Sequence, residues 1–307
     1  MIAGPVSLEW GRYLRFKVRG RIVVVCVTGA GLGWAVRSAR VQRSAVVAIQ
    51  KSGGTVLYNW QWKNGNPGRL WALKWLVNVI GVDYFGHVTD VTIAGLGSDV
   101  ELVHVGNLSR LERLTLYRSA VTDAGLAELK SLTRLQILHI QRTKVTDAGL
   151  AHLGGLTSLQ RLYLLNTQVI GTGFVHLKTL TELQVLNVKN TPVNDTGLRY
   201  LEELTSLREL CLLGTQVTDA GLEHLDGLSN LKVLDVPYTV TDAGLEHLTK
   251  LRNLQSLRLD NTAVSDAGLE KLTRLPLLQR VTLGATKVSD AGVRGLREAL
   301  PKLRIAR

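Results

Sequence analysis

The sequence is poor in the residues and motifs that mark several large classes of protein. It has only two cysteines, Cys26 and Cys211, and they lie far apart in different segments, which argues against a disulfide framework. It has no P-loop, no G-x-S-x-G and no H-E-x-x-H motif. The sequence therefore does not support an enzyme, and we expect no catalytic residue and no cofactor.

Acidic residues are almost missing from the first 80 positions. Residues 1–80 hold 12 Lys and Arg against one acid, Glu9, for a net charge of +11. Residues 81–307 hold 25 Lys and Arg against 24 acids, for a net charge of +1. Nucleic-acid binding needs a basic face, so the near-neutral part argues against it. The basic N-terminus favours a membrane surface as partner.

Long apolar runs are missing too. Residues 22–36 carry no charge, but a spanning helix usually needs about 20 apolar residues, with about 17 near the lower limit. The side chains of Arg21 and Arg37 could extend toward the lipid headgroups, and no small-x-small cleavage site follows. We predict an uncleaved signal-anchor helix over 22–43 that contacts the membrane through residues 22–36, after a basic tail of residues 1–21.

The same stretch is also similar to the opening of dinucleotide-binding domains, with a strand, a glycine turn and a helix. Gly29 and Gly31 fit the G-x-G start, but Gly33 comes one residue early. The next strand candidate, residues 55–60, ends without the acid that would hold a ribose. A nucleotide-binding enzyme stays an alternative, and glycine within an apolar helix is the simpler interpretation.

What the sequence has in abundance is one pentapeptide, residues 122–126, Thr-Asp-Ala-Gly-Leu. Exact copies begin at Thr146, Thr218 and Thr241, and weaker copies begin at Ile170, Asn194, Ser265 and Ser289. The step between copies is 24 residues, except for a single step of 23. A fixed period of this length is typical of a solenoid.

One period encodes a strand and a short helix. Leu114 and Leu116 have the two-residue spacing of a strand with one buried face. Leu126, Leu129 and Leu132 recur every third residue, as on one face of a helix.

The pentapeptide itself predicts how each helix begins. We expect Thr122 to cap the helix and Asp123 to place a negative charge in its first turn. Gly125 would let this turn approach the neighbouring coil closely.

These repeats resemble the short leucine-rich repeats found in F-box-type and bacterial membrane-anchored proteins, over roughly residues 88–305. The resemblance implies an α/β leucine-rich-repeat solenoid, a right-handed horseshoe with parallel strands on the concave face. Neighbouring strands in a sheet lie about 4.8 Å apart, whereas the axes of packed helices lie about 8–10 Å apart. A stack with one strand and one helix per coil must therefore curve, with its strands on the inside. The bacterial relatives imply a single-pass membrane protein of the cell envelope, with the repeats on the non-cytoplasmic side.

The segment before the repeats, residues 44–87, is predicted to cap the first coil, because terminal repeats need a cap. It includes an apolar helix over residues 69–80, for which a second membrane-lying segment is the alternative. The repeat domain then covers residues 88–307.

Two columns of polar residues and one cysteine invite a chemical interpretation. One repeat position holds histidine in four coils: His152, His176, His224 and His247. Zinc needs nitrogen ligands at about 2.1 Å, and helices of adjacent coils lie about 10 Å apart, so we predict a solvated face and no metal site. The repeated aspartates are explained as first-turn residues, and Cys211 has no histidine partner in its own coil.

Residues that flank the buried strand leucines should point into the concave face. In the coils that begin at Leu111, Leu135 and Leu159, we predict a protein-binding surface, with no nucleic acid as partner. Its predicted residues are Arg113, Tyr117, Arg118, His139, Gln141, Arg142, Arg161, Tyr163 and Asn166.

The centre of this surface, called here the basic–aromatic patch, is Tyr117, Arg118, His139, Arg142 and Tyr163. Tyr and Arg dominate binding hot spots, and this charge would prefer an acidic partner segment. The alternative is chance clustering, because strands favour Tyr in any case.

The leading hypothesis is thus a non-enzymatic, membrane-anchored protein that binds another protein through its concave face. A substrate adaptor of a ubiquitin ligase is the second hypothesis, although no F-box pattern precedes the repeats. The nucleotide-binding enzyme is the third.

Overall fold

The computed structural model describes residues 13–18, 21–26, 29–63, 66–67, 77–79 and 81–307. Each coil of the repeat region contributes one strand and one short helical segment. The strands are β1 (Tyr13–Val18), β2 (Arg21–Cys26), β3 (Thr55–Tyr58), β4 (Trp62–Lys63), β5 (Asn66–Pro67), β6 (Val88–Ala94), β7 (Arg113–Tyr117), β8 (Ile137–Gln141), β9 (Arg161–Leu165), β10 (Val185–Asn187), β11 (Glu209–Cys211), β12 (Val233–Asp235), β13 (Ser256–Arg258), β14 (Arg280–Thr282) and β15 (Arg304–Ala306).

Within the described part of the chain, the main sheet has eleven strands, with β3 at one edge followed by β6 to β15 in sequence order. Neighbours from β6 to β15 are parallel, whereas β3 pairs antiparallel with β6. This is the parallel stack that the repeat period predicted.

The helical segments are short. The α-helices are α1 (Gly29–Lys51), α2 (Asp99–Val105), α3 (Asp123–Leu126), α4 (Asp147–Leu150), α5 (Asp195–Leu198), α6 (Asp242–Leu248), α7 (Asp266–Leu272) and α8 (Asp290–Ala299). Turns of 3-10 helix cover Val82–Tyr84, Ala127–Ser131, Thr172–Thr179, Arg199–Leu201 and Gly221–Leu225. In several coils the predicted helix is therefore one α-helical turn at most, continued as 3-10 helix.

The core is a stack of leucine rows between the sheet and the helical segments. Leu162, Leu186 and Leu210 lie side by side in register on adjacent strands and are buried. Leu164 and Val188 are buried as well, which confirms the predicted inward face of the strands. Each coil thus buries its apolar residues against the next coil.

The helix starts are as predicted, but the aspartates do more than expected. Thr122 caps α3, and its hydroxyl accepts a hydrogen bond from the Ala124 amide at 3.3 Å. Asp123 lies in the first turn, yet its carboxylate accepts from the amide and hydroxyl of Thr146 in the next coil, at 2.8 and 2.6 Å.

The same clasp joins other coils, and we call it the aspartate clasp. Its further pairs are Asp99 with Thr122, Asp195 with Thr218, Asp219 with Thr241, Asp242 with Ser265 and Asp266 with Ser289. The repeated Thr-Asp pair therefore links neighbouring coils as well as starting helices.

The repeated glycine fits against this clasp. A Cβ on Gly125 would lie 2.2 Å from Oδ1 of Asp99 in the preceding coil. The predicted close approach of the turn to its neighbour is confirmed.

The N-terminal part differs from the single anchor helix predicted over 22–43. Residues 21–26 form β2, which pairs antiparallel with β1, and α1 begins at Gly29 and continues to Lys51. The consecutive β-branched residues Val23, Val24 and Val25 favour a strand. No helix among the described residues is long and apolar enough to cross a membrane.

The segment next to the first coil is held by α1 and β3. Gln42 of α1 donates to Asp83 Oδ1 and to the Gly86 carbonyl, both at 3.0 Å, and accepts from the Val88 amide. The hydroxyl of Tyr58 in β3 donates to the same Asp83 oxygen at 2.8 Å. The predicted helix over 69–80 lies outside the described residues except for positions 77–79, which are helical.

Candidate functional site

Three adjacent strands, β7, β8 and β9, bring most of the predicted site residues together. Their register sets His139 beside Tyr163 in one row and Tyr117 beside Gln141 in another. Arg113 and Arg161 flank Ile137 in a third row. These side chains alternate with fully buried leucines and with Ile140, and they are half-buried or exposed. The sheet face opposite the leucine rows therefore carries them toward solvent.

Two aromatic rings lie at the centre of this face. The rings of His139 and Tyr163 stack with their centroids 4.0 Å apart and their planes 6° from parallel. Burial lowers the pKa of His139, and the positive charges of Arg113 and Arg161 lower it further. The imidazole is therefore neutral at pH 7, and the pair presents a flat, uncharged platform.

The arginines around the platform differ in their partners. Arg113 is paired with Asp90 of β6 at 3.0 Å, so its charge is already compensated, which the sequence alone does not indicate. The Arg118 guanidinium lies over the ring of Tyr117, 5.3 Å from its centroid. Arg142 and Arg161 have no acidic partner among the described residues. The positive charge available to a ligand therefore comes from Arg118, Arg142 and Arg161.

One position of the repeat, directly after β7, β8 and β9, has a left-handed backbone in most coils. In this position Asn166 has φ of 52°, and other coils place asparagine or glycine there, as with Asn190 and Gly214. Arg118 and Arg142 have φ of 49° and 53°, although a long side chain disfavours this conformation. Two neighbouring coils thus carry an arginine at a position that suits asparagine better.

The change Arg142→Asn is expected to raise the free energy of unfolding by about 0.5–1 kcal/mol, because asparagine tolerates a left-handed backbone. Urea unfolding measures this. Arg161→Asn is the matched control, since Arg161 lies within β9, and it should bring no gain. An Arg142→Asn variant less stable than the wild type would contradict the explanation.

Beyond β9 this face carries charges of both signs, with Arg280 and Arg304 at its far end. Glu209 and Asp235 lie on β11 and β12, and Asp260 is paired with Arg258 at 2.8 Å. Burial raises the pKa of the Cys211 thiol to about 11, and the charge of Asp235 contributes. The thiol is therefore protonated at neutral pH, unlike an activated nucleophile.

A cavity of about 560 Å³ lies elsewhere, between α1 and the first coil. Trp34, Arg37, His87 and Arg110 are among its lining residues, and none of the predicted site residues lines it. The sequence gives no sign of this cavity, because its walls come from three separate segments.

The geometry gives little support to the nucleotide-binding site or to a metal site. β2, which precedes the glycines of the nucleotide-binding interpretation, pairs with β1 and lies outside the main sheet. Within the described part of the chain, no group of three or more His, Cys, Asp or Glu side chains could hold a metal ion. Of the four column histidines, His224 is hydrogen-bonded through Nδ1 to Glu202 at 2.7 Å.

Comparison with known proteins gives one family match. Residues 250–272 match the family model described as Leucine Rich repeat. No curated protein matches the sequence.

Two solved structures match this chain, one over part of its length and one over most of it. One is the plant peptide hormone receptor RGFR1 in complex with RGF2, with 16% identity and a TM-score of 0.49, over 71% of this chain and 35% of the receptor. The other is an internalin (inlF) from Listeria monocytogenes, with 18% identity and a TM-score of 0.34, over 87% of this chain and 94% of the internalin. The match thus spans about a third of the receptor's length.

Proposed function

We propose that this chain, a leucine-rich-repeat protein, binds another protein through the concave face of its sheet and has no catalytic role. The observation that carries the proposal is the platform of His139 and Tyr163, set among arginines without acidic partners. Flat aromatic surfaces and available guanidinium groups are the usual anchors of protein interfaces. A repeat stack also offers a long, continuous surface for a partner.

The partner segment is proposed to be acidic. Arg118, Arg142 and Arg161 surround the platform, whereas Glu209 and Asp235 lie farther along the same face. An acidic segment is attracted to these arginines and repelled by the two carboxylates, which favours docking at the platform over docking at β11 and β12. A carboxylate can also form two parallel hydrogen bonds with one guanidinium.

A displayed peptide library, panned on the immobilised chain, supplies a defined ligand. We expect acidic peptides to be enriched, and Tyr163→Ala and Arg142→Ala each to weaken their binding by about 1–3 kcal/mol. Thr282→Ala and Arg280→Ala are matched controls at the far end of the same face, in the same rows of the sheet as Tyr163 and Arg161. Melting temperatures show whether each variant is folded.

The proposal fails if both patch variants bind as tightly as the wild type. Loss of binding on changing Arg258 or Asp260 would instead place the site in the C-terminal half. Arg258 and Asp260 are paired with each other and not with the patch, so changing either residue tests the C-terminal half separately.

The membrane attachment and localisation remain predictions from the sequence. They rest on the apolar residues 22–36 and on the resemblance to bacterial envelope proteins. The repeats are predicted to lie on the non-cytoplasmic side.

A further inference from the structure

Helix α1 has one face packed on the repeats. Ala39, Ala45, Val46 and Ile49 are buried there, and Gln42 on the same side holds the Asp83 segment. Their spacing of three and four residues defines a single inward stripe. The opposite side of the helix is therefore left to solvent.

That opposite side, called here the outer face of α1, is basic. Arg37, Arg40 and Lys51 are exposed and recur at helical spacing on one surface. None of them has an ion-pair partner among the described residues. The sequence contains no acid between Glu9 and Asp83, so nothing in this stretch of chain compensates these charges.

Large apolar side chains are exposed in the same region. On α1, Trp34 is 65% exposed at one wall of the cavity, three residues before Arg37, and Val47 is 57% exposed, four residues before Lys51. On α2, which packs against α1, Val100 and Val103 are 66% and 49% exposed. Isolated apolar residues on a surface are ordinary, but exposed apolar residues grouped beside unpaired basic residues have a more specific meaning.

We propose that the outer face of α1 binds reversibly to the surface of a membrane that contains anionic lipids. Arginine and lysine are attracted to the negative headgroups, and tryptophan and valine enter the boundary between headgroups and acyl chains. A nucleic acid would use the charge but would leave Val47 and Val100 exposed, so the combination favours lipid. This surface is separate from the basic–aromatic patch, and the two proposals stand independently.

The test is sedimentation of the full chain with vesicles of phosphatidylcholine containing about a quarter phosphatidylserine. Each basic residue near an anionic surface contributes about a fivefold factor, so Arg37→Gln with Arg40→Gln should lower the partition coefficient about 25-fold. The matched control is Arg294→Gln with Arg297→Gln on α8, which removes the same charge from exposed positions at the other end of the chain and should leave binding unchanged.

The apolar contribution is tested separately. Trp34→Ser should lower binding about fivefold, also at high salt, where the attraction between charges is screened. Leu277→Ser, at a position that is 45% exposed, should have no effect. Circular dichroism and melting curves confirm that each variant is folded.

Three results would overturn the proposal. One is equal binding to vesicles of phosphatidylcholine alone. Another is binding by the Arg37/Arg40 variant as strong as that of its α8 control. The third is binding to a DNA duplex that falls with the same arginines while vesicle binding does not, which would assign the surface to nucleic acid.

Discussion

Replacing Leu186 by alanine lowers the free energy of unfolding by about 2–5 kcal/mol. Leu186 lies on β10 between Leu162 and Leu210 in the same row, and it is fully buried. Its neighbours belong to strands whose hydrogen bonds fix their positions, so they cannot move in to fill the space. The lost contacts and the cavity that remains both destabilise the fold, and the loss extends to the coils on either side.

Urea unfolding of the variant and the wild type measures this effect. Leu277→Ala makes the same chemical change at a position that is 45% exposed, and it should lower the free energy of unfolding much less than Leu186→Ala does. Coincident unfolding curves for Leu186→Ala and the wild type would contradict the strand register.

The second large effect is expected at the aspartate clasp. Asp219 accepts hydrogen bonds from the Thr241 amide at 2.8 Å and from the Thr241 hydroxyl at 2.6 Å. Hydrogen bonds to a charged group contribute about 1.5–3 kcal/mol each, and water replaces part of what is lost. Asp219→Ala should therefore lower the free energy of unfolding by about 2–4 kcal/mol.

Two further variants separate the clasp from a general effect of charge. Glu270→Ala also removes one negative charge, from an exposed position on α7, and should change stability little. Asp219→Asn keeps an oxygen that can accept from the Thr241 amide, so it should fall between the wild type and Asp219→Ala. Equal stability of Asp219→Ala and Glu270→Ala would show that the clasp contributes nothing.

The repeat period carries most of the information about the main sheet. Because one residue of each coil must meet the same residue of the next, the step of 24 positions sets Leu138 beside Leu162 without further evidence. The two-residue alternation then decides that Leu164 points inward and Tyr163 outward. A single sequence suffices here because the repeat supplies the contacts between coils.

The aspartate clasp could not be predicted from the sequence in the way that the register of the sheet could. Asp123 and Thr146 bond across a separation of 23 residues, and Asp123 also satisfies the ordinary preference for an acid in the first turn of a helix. The preference for an acid in the first turn already explains Asp123, so its bond to Thr146 in the next coil cannot be recognised from the sequence of one coil. The joint repetition of threonine and aspartate was the signal that could have revealed it.

The N-terminal part lacks the repeat and was predicted less well. The valines that follow Ile22 suit both an apolar helix and a strand, and the structure forms β2. Helix α1 begins after it and carries Arg37, Arg40 and Arg43, which an anchor helix would place near its end. Without a repeat to set contacts, local pattern alone could not decide between the two.

The candidate site was predicted in position more than in detail. Alternation places Tyr117, His139 and Tyr163 on one face, and the register brings them together. The stacking of His139 on Tyr163 and the pairing of Arg113 with Asp90 depend on side-chain conformations, which no spacing encodes. They decide which arginines remain available to a partner.

The central claim is that the partner docks on the basic–aromatic patch, and site-specific photo-crosslinking tests it most directly. A photoreactive amino acid replaces Gln141 within the patch, Thr282 at the far end of the same face, or His152 on the helical side, in cells that express the chain. We predict that one protein is crosslinked from position 141, far less from 282 and not from 152, and that Arg142→Ala reduces the adduct at 141. Equal or stronger crosslinking of the same protein from position 282 or 152 would contradict the account.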